Sequence, residues 1–319
     1  ATTSISNIIH FIGGAGDDLI TGNNENNQLT GGGGDDTLTG GLGDDTYFFA
    51  DGWGNDTLIE LAAGGQDTVN FEALTTSLVL TLASTLNVVD GLGSTLDHPS
   101  NGIEIVIAGL AVDNFIVLSS FTGTSIMNGF ESIDTIDFSD FTIPVTLDMT
   151  VGTATATGVF ITMISIEKLV GGAGNDTLIS GPTDEVLVGG AGDDLFIFSD
   201  NWGNDIIFEY NGEGKDTISF SAAGVELIFT LGSLITTDNF GNTATYLGDS
   251  VEVLIGGAGD DLIKFGLDGV AFAGGLGTID GGGGINTLDY SVYTTGVVVD
   301  LGLGIATGTA GVSNIRHAI

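Results

Sequence analysis

The sequence predicts an all-β fold wound as a coil, and three observations lead to this prediction. Glycine recurs at the first, second and fourth positions of a nine-residue frame that begins at Gly13 with GGAGDDLIT. The last three positions of the frame are short, apolar and often β-branched, which is typical of strands. Hydrophobic residues make up 42% of the chain, enough to bury a core. Turn and strand therefore alternate, and successive units wind into a coil.

The frame occurs in two blocks followed by two single units. In the first block four units follow one another without a gap, and a fifth follows two inserted residues. In the second block three units are contiguous, and a fourth again follows two extra residues. The units are 13–21, 22–30, 31–39, 40–48, 51–59, 171–179, 180–188, 189–197, 200–208, 256–264 and, more weakly, 281–289.

Each turn brings glycines and acidic residues together. Glycine permits positive φ and close backbone approach, so we expect the turn to direct its carbonyl oxygens inward. Positions five and six add carboxylates, as Asp17 and Asp18 do in the first unit. A flexible cage of oxygens without nitrogen or sulfur suits Ca²⁺ better than Mg²⁺. The turns therefore predict several Ca²⁺ ions, and the alternative is a set of acidic surface turns that hold no metal.

These nonapeptides resemble the G-G-x-G-x-D-x-U-x repeat of the RTX, or hemolysin-type calcium-binding, family. The resemblance implies a parallel β-roll or β-solenoid of RTX nonapeptide coils, alternating with wider β segments. It also implies that two nonapeptides form one coil, and that a cation lies between turns two units apart, such as 13–18 and 31–36. On this basis the position-six residues are favoured as metal ligands and the position-five acids come second. The full predicted set is Asp17, Asp18, Asp35, Asp36, Asp44, Asp45, Asp56, Asp67, Asp176, Asp193, Asp194, Asp205, Asp216, Asp260 and Asp261.

Three turns depart from the pattern at position six. Asn27, Glu185 and Asn286 stand where the other turns have aspartate. The amide of asparagine carries no negative charge to attract a cation. Glutamate is one methylene longer than aspartate, so its carboxylate lies farther from the backbone. We therefore expect the cation sites at these turns to be weaker or empty.

A second motif separates the glycine blocks. DTVNF, DTIDF, DTISF and NTLDY each lie seven residues before an apolar strand, and we interpret these segments as wider β coils that bind no cation. The stretch AGLAVDN at 108–114 aligns with GGAGDDL but lacks a glycine and an aspartate, which indicates a turn that has become a plain coil. Asp67, Asp134 and Asp216 either close the last cation site of a stack or cap a turn.

The chain also contains an internal duplication. Asp44 matches Asp193, Trp53 matches Trp202 and Phe71 matches Phe220 at one constant offset. We predict two solenoid halves, 1–163 and 164–319. The paired tryptophans favour packing over a coil, and ligand stacking is the alternative.

Composition excludes several classes of function. The chain has 42 acidic and 4 basic residues, for a formal charge of −38, so a phosphate backbone or an anionic membrane surface would repel it. There is no cysteine, which excludes disulfides, thiolate metal sites and a cysteine nucleophile. We expect neither nucleic-acid binding nor membrane insertion.

The sequence does not predict an enzyme. It contains no G-x-S-x-G, H-E-x-x-H, P-loop or G-x-G-x-x-G motif, and none of His10, His98 and His317 has an evident nucleophile partner. Nearly all carboxylates stand at fixed repeat positions, whereas a catalytic site requires an irregular one.

Two classes of function remain open. The favoured one is an extracellular structural protein stabilised by calcium, such as a surface-layer (S-layer) protein, an adhesin stalk or a filament subunit. The alternative is the calcium-binding accessory region of a secreted enzyme or toxin. An ice-binding or carbohydrate-binding face would need a long regular row of one residue type, and threonine repeats at 21, 30 and 39 but only three times. The family resemblance implies type I secretion, in which low cytosolic calcium leaves the chain unfolded for export.

The two ends of the sequence resemble each other. SNIIHFI at 6–12 runs into a glycine turn, and SNIRHAI at 313–319 stops where such a turn should begin. Solenoid ends expose unpaired strand edges, which proteins usually cap. We therefore expect either head-to-tail self-association or a segment of a longer array.

Overall fold

A computed structural model describes residues 9–60, 64–99, 102–209, 213–231, 235–248, 251–266 and 277–319. All the regular elements in these ranges are β-strands, so the predicted all-β class is confirmed. Within the same ranges there is no helix long and apolar enough to cross a membrane.

The strands are short, because each nonapeptide supplies only three residues to one before the next glycine turn. In the first part of the chain they are β1 (His10–Ile12), β2 (Leu19–Thr21), β3 (Gln28–Thr30), β4 (Thr37–Thr39), β5 (Thr46–Phe48), β6 (Asn55–Ile59), β7 (Thr68–Asn70), β8 (Leu78–Leu82), β9 (Leu86–Asp90), β10 (Thr95–His98), β11 (Ile105–Ile107), β12 (Asn114–Val117), β13 (Gly123–Asn128), β14 (Thr135–Asp137), β15 (Thr146–Asp148), β16 (Thr153–Ala156) and β17 (Val159–Ile164).

The same short length persists in the rest of the chain. These strands are β18 (Lys168–Val170), β19 (Thr177–Ile179), β20 (Val186–Val188), β21 (Leu195–Ser199), β22 (Asn204–Glu209), β23 (Thr217–Ala222), β24 (Leu227–Thr230), β25 (Ile235–Asp238), β26 (Thr243–Gly248), β27 (Val253–Ile255), β28 (Leu262–Lys264), β29 (Thr278–Asp280), β30 (Asn286–Asp289), β31 (Val299–Asp300), β32 (Ile305–Ala306), β33 (Gly311–Ser313) and β34 (Ile315–Ala318).

The chain divides into two compact units. Unit 1 is Ala1–Asp140 with Thr157–Ile166, and unit 2 is Phe141–Ala156 with Glu167–Ile319. The division at 163 and 164, which the duplication suggests, stays a prediction about sequence halves.

Unit 1 is a two-sheet parallel solenoid. One sheet has the order β1-β3-β5-β7-β11-β13-β17, and the other begins β2-β4-β6. Leu19 pairs with Thr37 and Gln28 with Thr46, each eighteen residues further on. Two nonapeptides therefore form one coil, as the resemblance implied.

Unit 2 repeats this architecture. One sheet has the order β16-β15-β19-β21-β23-β27-β29-β33, with β16 antiparallel to β15 and the other pairs parallel. The second contains β18, β20, β22, β28, β30 and β34. Thr177 pairs with Leu195, again eighteen residues apart.

The wider segments contain an antiparallel meander in each unit. In unit 1, β9 is antiparallel to both β8 and β10, while β10 is parallel to β6. In unit 2, β25 is antiparallel to β24 and β26. The motif analysis predicted the first strand of each meander but not the two strands that follow it.

One side chain per nonapeptide strand fills the core. The middle residue points inward and its two neighbours point towards the surface, because side chains alternate along a strand. Leu38, Leu58, Leu178 and Leu187 are fully buried at this position.

The paired tryptophans pack inside the coils. Trp53 lies with its ring centroid 5.6 Å from that of Phe71, and Trp202 lies 5.2 Å from Phe220. Both tryptophans are at most 1% exposed. The packing interpretation is therefore confirmed, since a buried ring has no face available to a ligand.

Candidate metal centre

Neighbouring turns stack so closely that the second and fourth positions of the 31–39 unit require glycine. Gly32 and Gly34 have φ of 112° and 113°, a region that side chains rarely adopt. A β-carbon at Gly32 would also overlap the carbonyl oxygen of Gly14 in the preceding coil. The glycines therefore allow the backbone oxygens of neighbouring turns to lie together.

The position-six carboxylates form a ladder along each stack. The backbone N–H of Asp36 donates to Oδ1 of Asp56, one coil further on, at 2.8 Å. Equivalent bonds of 2.6–2.9 Å occur at six further turns. The N–H donors and the Oδ1 acceptors are Asp18 and Asp36, Asn27 and Asp45, Asp45 and Asp67, Asp176 and Asp194, Glu185 and Asp205, and Asp194 and Asp216. One oxygen of each accepting aspartate is thereby held in place.

The second oxygen of many of these carboxylates is buried without a hydrogen-bond partner. This holds for Oδ2 of Asp36, Asp45, Asp56, Asp67, Asp194 and Asp216. An ionised oxygen taken out of water with no compensating partner is strongly unfavourable. A hard cation coordinated by oxygen supplies that compensation, so these residues fit Ca²⁺.

Burial raises the pKa of these groups. It brings the pKa of Asp56 and Asp194 to about 7, and that of Asp67, Asp216 and Asp261 to about 6, with neighbouring carboxylates adding to the rise. The site is thus costly to ionise when only protein surrounds it.

The predicted ligands at position five lie elsewhere. Asp17, Asp35, Asp44, Asp193 and Asp260 are exposed. Their Oδ1 atoms accept the position-five N–H of the next coil, as Asp17 does from Asp35 at 3.0 Å and Asp260 from Ile285 at 2.7 Å. They form a surface ladder that links coils, separate from the buried oxygens.

Three predicted ligands use one carboxylate oxygen to cap their own turn. Oδ2 of Asp18, Asp176 and Asp261 accepts the position-two N–H of its own turn, at 2.6, 2.5 and 2.9 Å. The N–H of Val145 donates to Oδ1 of Asp176 and that of Leu227 to Oδ1 of Asp261, so both oxygens of these two aspartates have protein partners. These aspartates have a turn-capping role in the described structure.

In two of the three departing turns, protein groups hydrogen-bond to oxygens of the turn or of its neighbour. Asn286 donates its side-chain N–H to the carbonyls of Gly283 and Asn314, at 2.6 and 2.9 Å. Ser180 donates its hydroxyl to Oδ2 of Asp205 at 2.6 Å, beside Glu185. Burial raises the pKa of Asp205 to about 8.

The aspartates of the second motif extend the ladder. Asp67 and Asp216 donate their N–H groups to Oε2 of Glu104 and Glu252, both at 2.8 Å. Oδ1 of Asp134 accepts the N–H of Asp113 at 2.7 Å. Glu104 and Glu252 were not predicted as site residues. Each directly follows an apolar residue just before a glycine turn or its degenerate equivalent, and this shared pattern could have identified them.

The segment at 108–114 behaves as a plain coil. Oδ1 of Asp113 accepts the N–H of Leu78 at 2.6 Å, and Oδ2 accepts that of Gly109 at 2.8 Å. Both carboxylate oxygens therefore have protein partners.

Sequence reasoning also missed Glu60 and Glu209. Each is buried, and each lies close to two position-six aspartates, Asp45 and Asp67 or Asp194 and Asp216. The sequence could have identified both glutamates, because each follows an apolar pair at the corresponding place in the two copies of the duplication.

Comparison with known proteins identifies the repeats. The family model described as the RTX calcium-binding nonapeptide repeat matches in four copies, at residues 12–47, 165–196 and 246–267. The chain therefore carries RTX calcium-binding repeats. The comparison with curated proteins gave no match.

One solved structure with similarity to this chain is the crystal structure of the extracellular lipase LipA from Serratia marcescens. The identity is 18% and the TM-score 0.18, over 78% of this chain and 39% of the lipase chain. This chain thus spans well under half of the length of that protein.

Proposed function

We propose that this protein is a calcium-stabilised extracellular structural protein, a segment of a surface layer, adhesin stalk or filament that folds when it binds several Ca²⁺ ions. The observation that carries the proposal is the series of buried carboxylate oxygens without hydrogen-bond partners in the turns of RTX repeats. A fold that needs these oxygens coordinated is stable only where calcium is abundant. We accordingly propose a secreted protein with a structural rather than an enzymatic role.

End-to-end association is the second part of the proposal. The strands β1 and β2 are the first described strands of the two sheets in unit 1. Ile12 and Leu19 on them are 70% and 79% exposed. Exposed apolar residues at a sheet edge favour pairing with a further strand.

Light scattering and electron microscopy of the purified chain in millimolar calcium test the assembly. We expect particles that grow with protein concentration and appear as filaments or sheets, and that a chelator disperses. A strict monomer at high protein concentration in calcium would contradict end-to-end assembly but leave calcium-dependent folding intact.

A further inference from the structure

Three buried carboxylates meet at one point in each unit. In unit 1 they are Asp45, Glu60 and Asp67, and in unit 2 they are Asp194, Glu209 and Asp216. Within each group, one carboxylate oxygen per residue lies within 4.8 Å of the others. All six side chains are 0–4% exposed. The two groups occupy corresponding places in the duplication.

The backbone holds each carboxylate by one oxygen. Oε1 of Glu60 accepts the N–H of Gly40 at 3.0 Å, and Oε1 of Glu209 accepts that of Gly189 at 2.9 Å. These glycines open the turns that contain Asp45 and Asp194. Each glutamate therefore reaches the first position of a glycine turn, where ordinary turns have only backbone and aspartate oxygens.

The remaining oxygens point to a missing ligand. Oδ2 of Asp194, Oε2 of Glu209 and Oδ2 of Asp216 are buried and have no hydrogen-bond partner. The same is true of Oδ2 of Asp45 and Asp67 in unit 1. Three carboxylates confined together without a cation repel one another at short range.

We propose that each group is a three-carboxylate calcium site, in which Glu60 or Glu209 is a direct ligand beside the two aspartates. This rests on the proposed function, since it assumes that the position-six aspartates bind calcium. It adds a second class of site, because a pair of ordinary turns contributes two carboxylates and these sites contribute three.

The oxygens are close enough together to bind one calcium ion. Oxygen ligands lie about 2.3–2.6 Å from Ca²⁺, so two ligands of one ion are at most about 5 Å apart. The three oxygens of each group lie within 4.8 Å of one another, inside that limit. Calcium accepts several carboxylate and carbonyl oxygens in a flexible geometry, whereas Mg²⁺ demands a near-ideal octahedron and keeps several waters.

The third carboxylate also sets the affinity. The number of charged ligands is one of the features that tune calcium affinity. We therefore expect these two sites to fill before the two-carboxylate sites as calcium rises, and to prefer a trivalent lanthanide such as Tb³⁺ still more strongly.

The test is the double variant Glu60→Gln and Glu209→Gln, compared with the double variant Glu72→Gln and Glu131→Gln. Glutamine keeps the oxygen that accepts the glycine N–H and removes the charge. Glu72 and Glu131 are exposed, so the control loses the same total charge outside the sites. Calcium binding is measured by titration calorimetry and equilibrium dialysis on the full chain, with circular dichroism as the check on folding.

We expect the two tightest sites to weaken by about tenfold or more in the first variant and to be unchanged in the control. If the first variant binds calcium like the wild type, Glu60 and Glu209 are not ligands and the inference is overturned, while the proposed function stands. If the wild type itself binds no calcium, both are overturned.

A second measurement does not depend on folding of the variant. Tb³⁺ titrated into the calcium-loaded wild-type chain should displace two ions per chain before any others. Displacement from a single class of equivalent sites would overturn the inference.

Discussion

The backbone N–H of Asp45 donates to Oδ1 of Asp67 at 2.8 Å, although the two residues are twenty-two positions apart in the chain. The bond places the carboxylate of Asp67 beside that of Asp45, and leaves Oδ2 of both buried without a partner. This relationship recurs between Asp194 and Asp216 at 2.9 Å. These adjacent, buried and unpartnered oxygens are the basis of the following predictions.

Removal of calcium should unfold the chain. Without a cation the buried carboxylates repel one another, and the ordering entropy of 54 glycines opposes folding. We expect largely disordered circular dichroism in a chelator and a β-rich spectrum in millimolar calcium, with a midpoint near the affinity of extracellular sites, about 10⁻⁴–10⁻³ M. Identical spectra in the two conditions would contradict this.

The calcium-free chain should be more stable in acid than in base. Burial raises the pKa of Asp194 to about 7 and that of Glu209 to about 9. A group whose pKa is higher in the folded than in the unfolded state stabilises the fold below its unfolded pKa, and this contribution is lost as the pH rises through the folded pKa. Circular dichroism in chelator should therefore show more residual β structure at about pH 5 than at about pH 8.

Calcium reverses this dependence, because its ligands must be ionised. The calcium concentration needed for half-maximal folding should rise as the pH falls from about 8 to about 5. A midpoint that does not change over this range would mean that the raised pKa values do not belong to the calcium sites.

Asn286→Asp should create a further calcium site. The side-chain N–H of Asn286 donates to the carbonyls of Gly283 and Asn314, and aspartate at this position would leave these carbonyls and its own carboxylate to coordinate a cation. The variant should be less stable than the wild type in low calcium and bind one more ion in high calcium. Asn175→Asp, which adds the same charge at an exposed position-five residue, is the control and should bind no additional ion.

Gly32→Ala should destabilise the first stack. Its φ of 112° is unfavourable for alanine, and the added β-carbon would overlap the carbonyl of Gly14. In the presence of calcium we expect the free energy of unfolding to fall by about 1–3 kcal/mol. The decrease should be larger if the two coils have to move apart to accommodate the β-carbon. Gly16→Ala is the matched control, because a β-carbon there has no heavy atom within 4 Å. Equal stability of the two variants in chemical denaturation would contradict the stacking argument.

Tyr47→Phe should strengthen calcium binding in unit 1. The hydroxyl of Tyr47 donates to Oε1 of Glu60, whereas the corresponding residue in unit 2 is Phe196. Removing this donor frees a lone pair for the cation, and we expect the affinity of the unit 1 site to rise a few-fold. Phe196→Tyr should have the opposite effect in unit 2, and titration calorimetry of both variants measures the difference.

The nine-residue register made most of the coil predictable. Glycine at fixed turn positions and one apolar residue in the middle of each strand are local requirements, so Leu38 and Leu178 could be placed in the core, and Asp36 and Asp194 at inward turns, from the repeat alone. The same regularity made the pairing of turns eighteen residues apart predictable.

The family resemblance favoured the position-six carboxylate of each turn as the ligand, but the residue types alone did not show which of the two is buried. Asp35 and Asp36 are adjacent and both acidic, yet the first is exposed and the second buried. Their orientation follows from which backbone N–H each accepts in a neighbouring coil, since Asp17 bonds the coil after it and Asp36 the coil before it. The stacking of the coils therefore determines which of the two carboxylates is buried.

By itself the sequence determined the all-β class, the repeat and the acidity that calls for a cation, because these depend on residues within one or two nonapeptides. Only the tertiary structure decided that Glu60 meets Asp45 and Asp67, and that an antiparallel meander widens the coil after β7. Such contacts join residues many positions apart, and they form only once the chain has folded back on itself. The clustering of these three carboxylates is therefore a property of the folded solenoid and not of any single repeat.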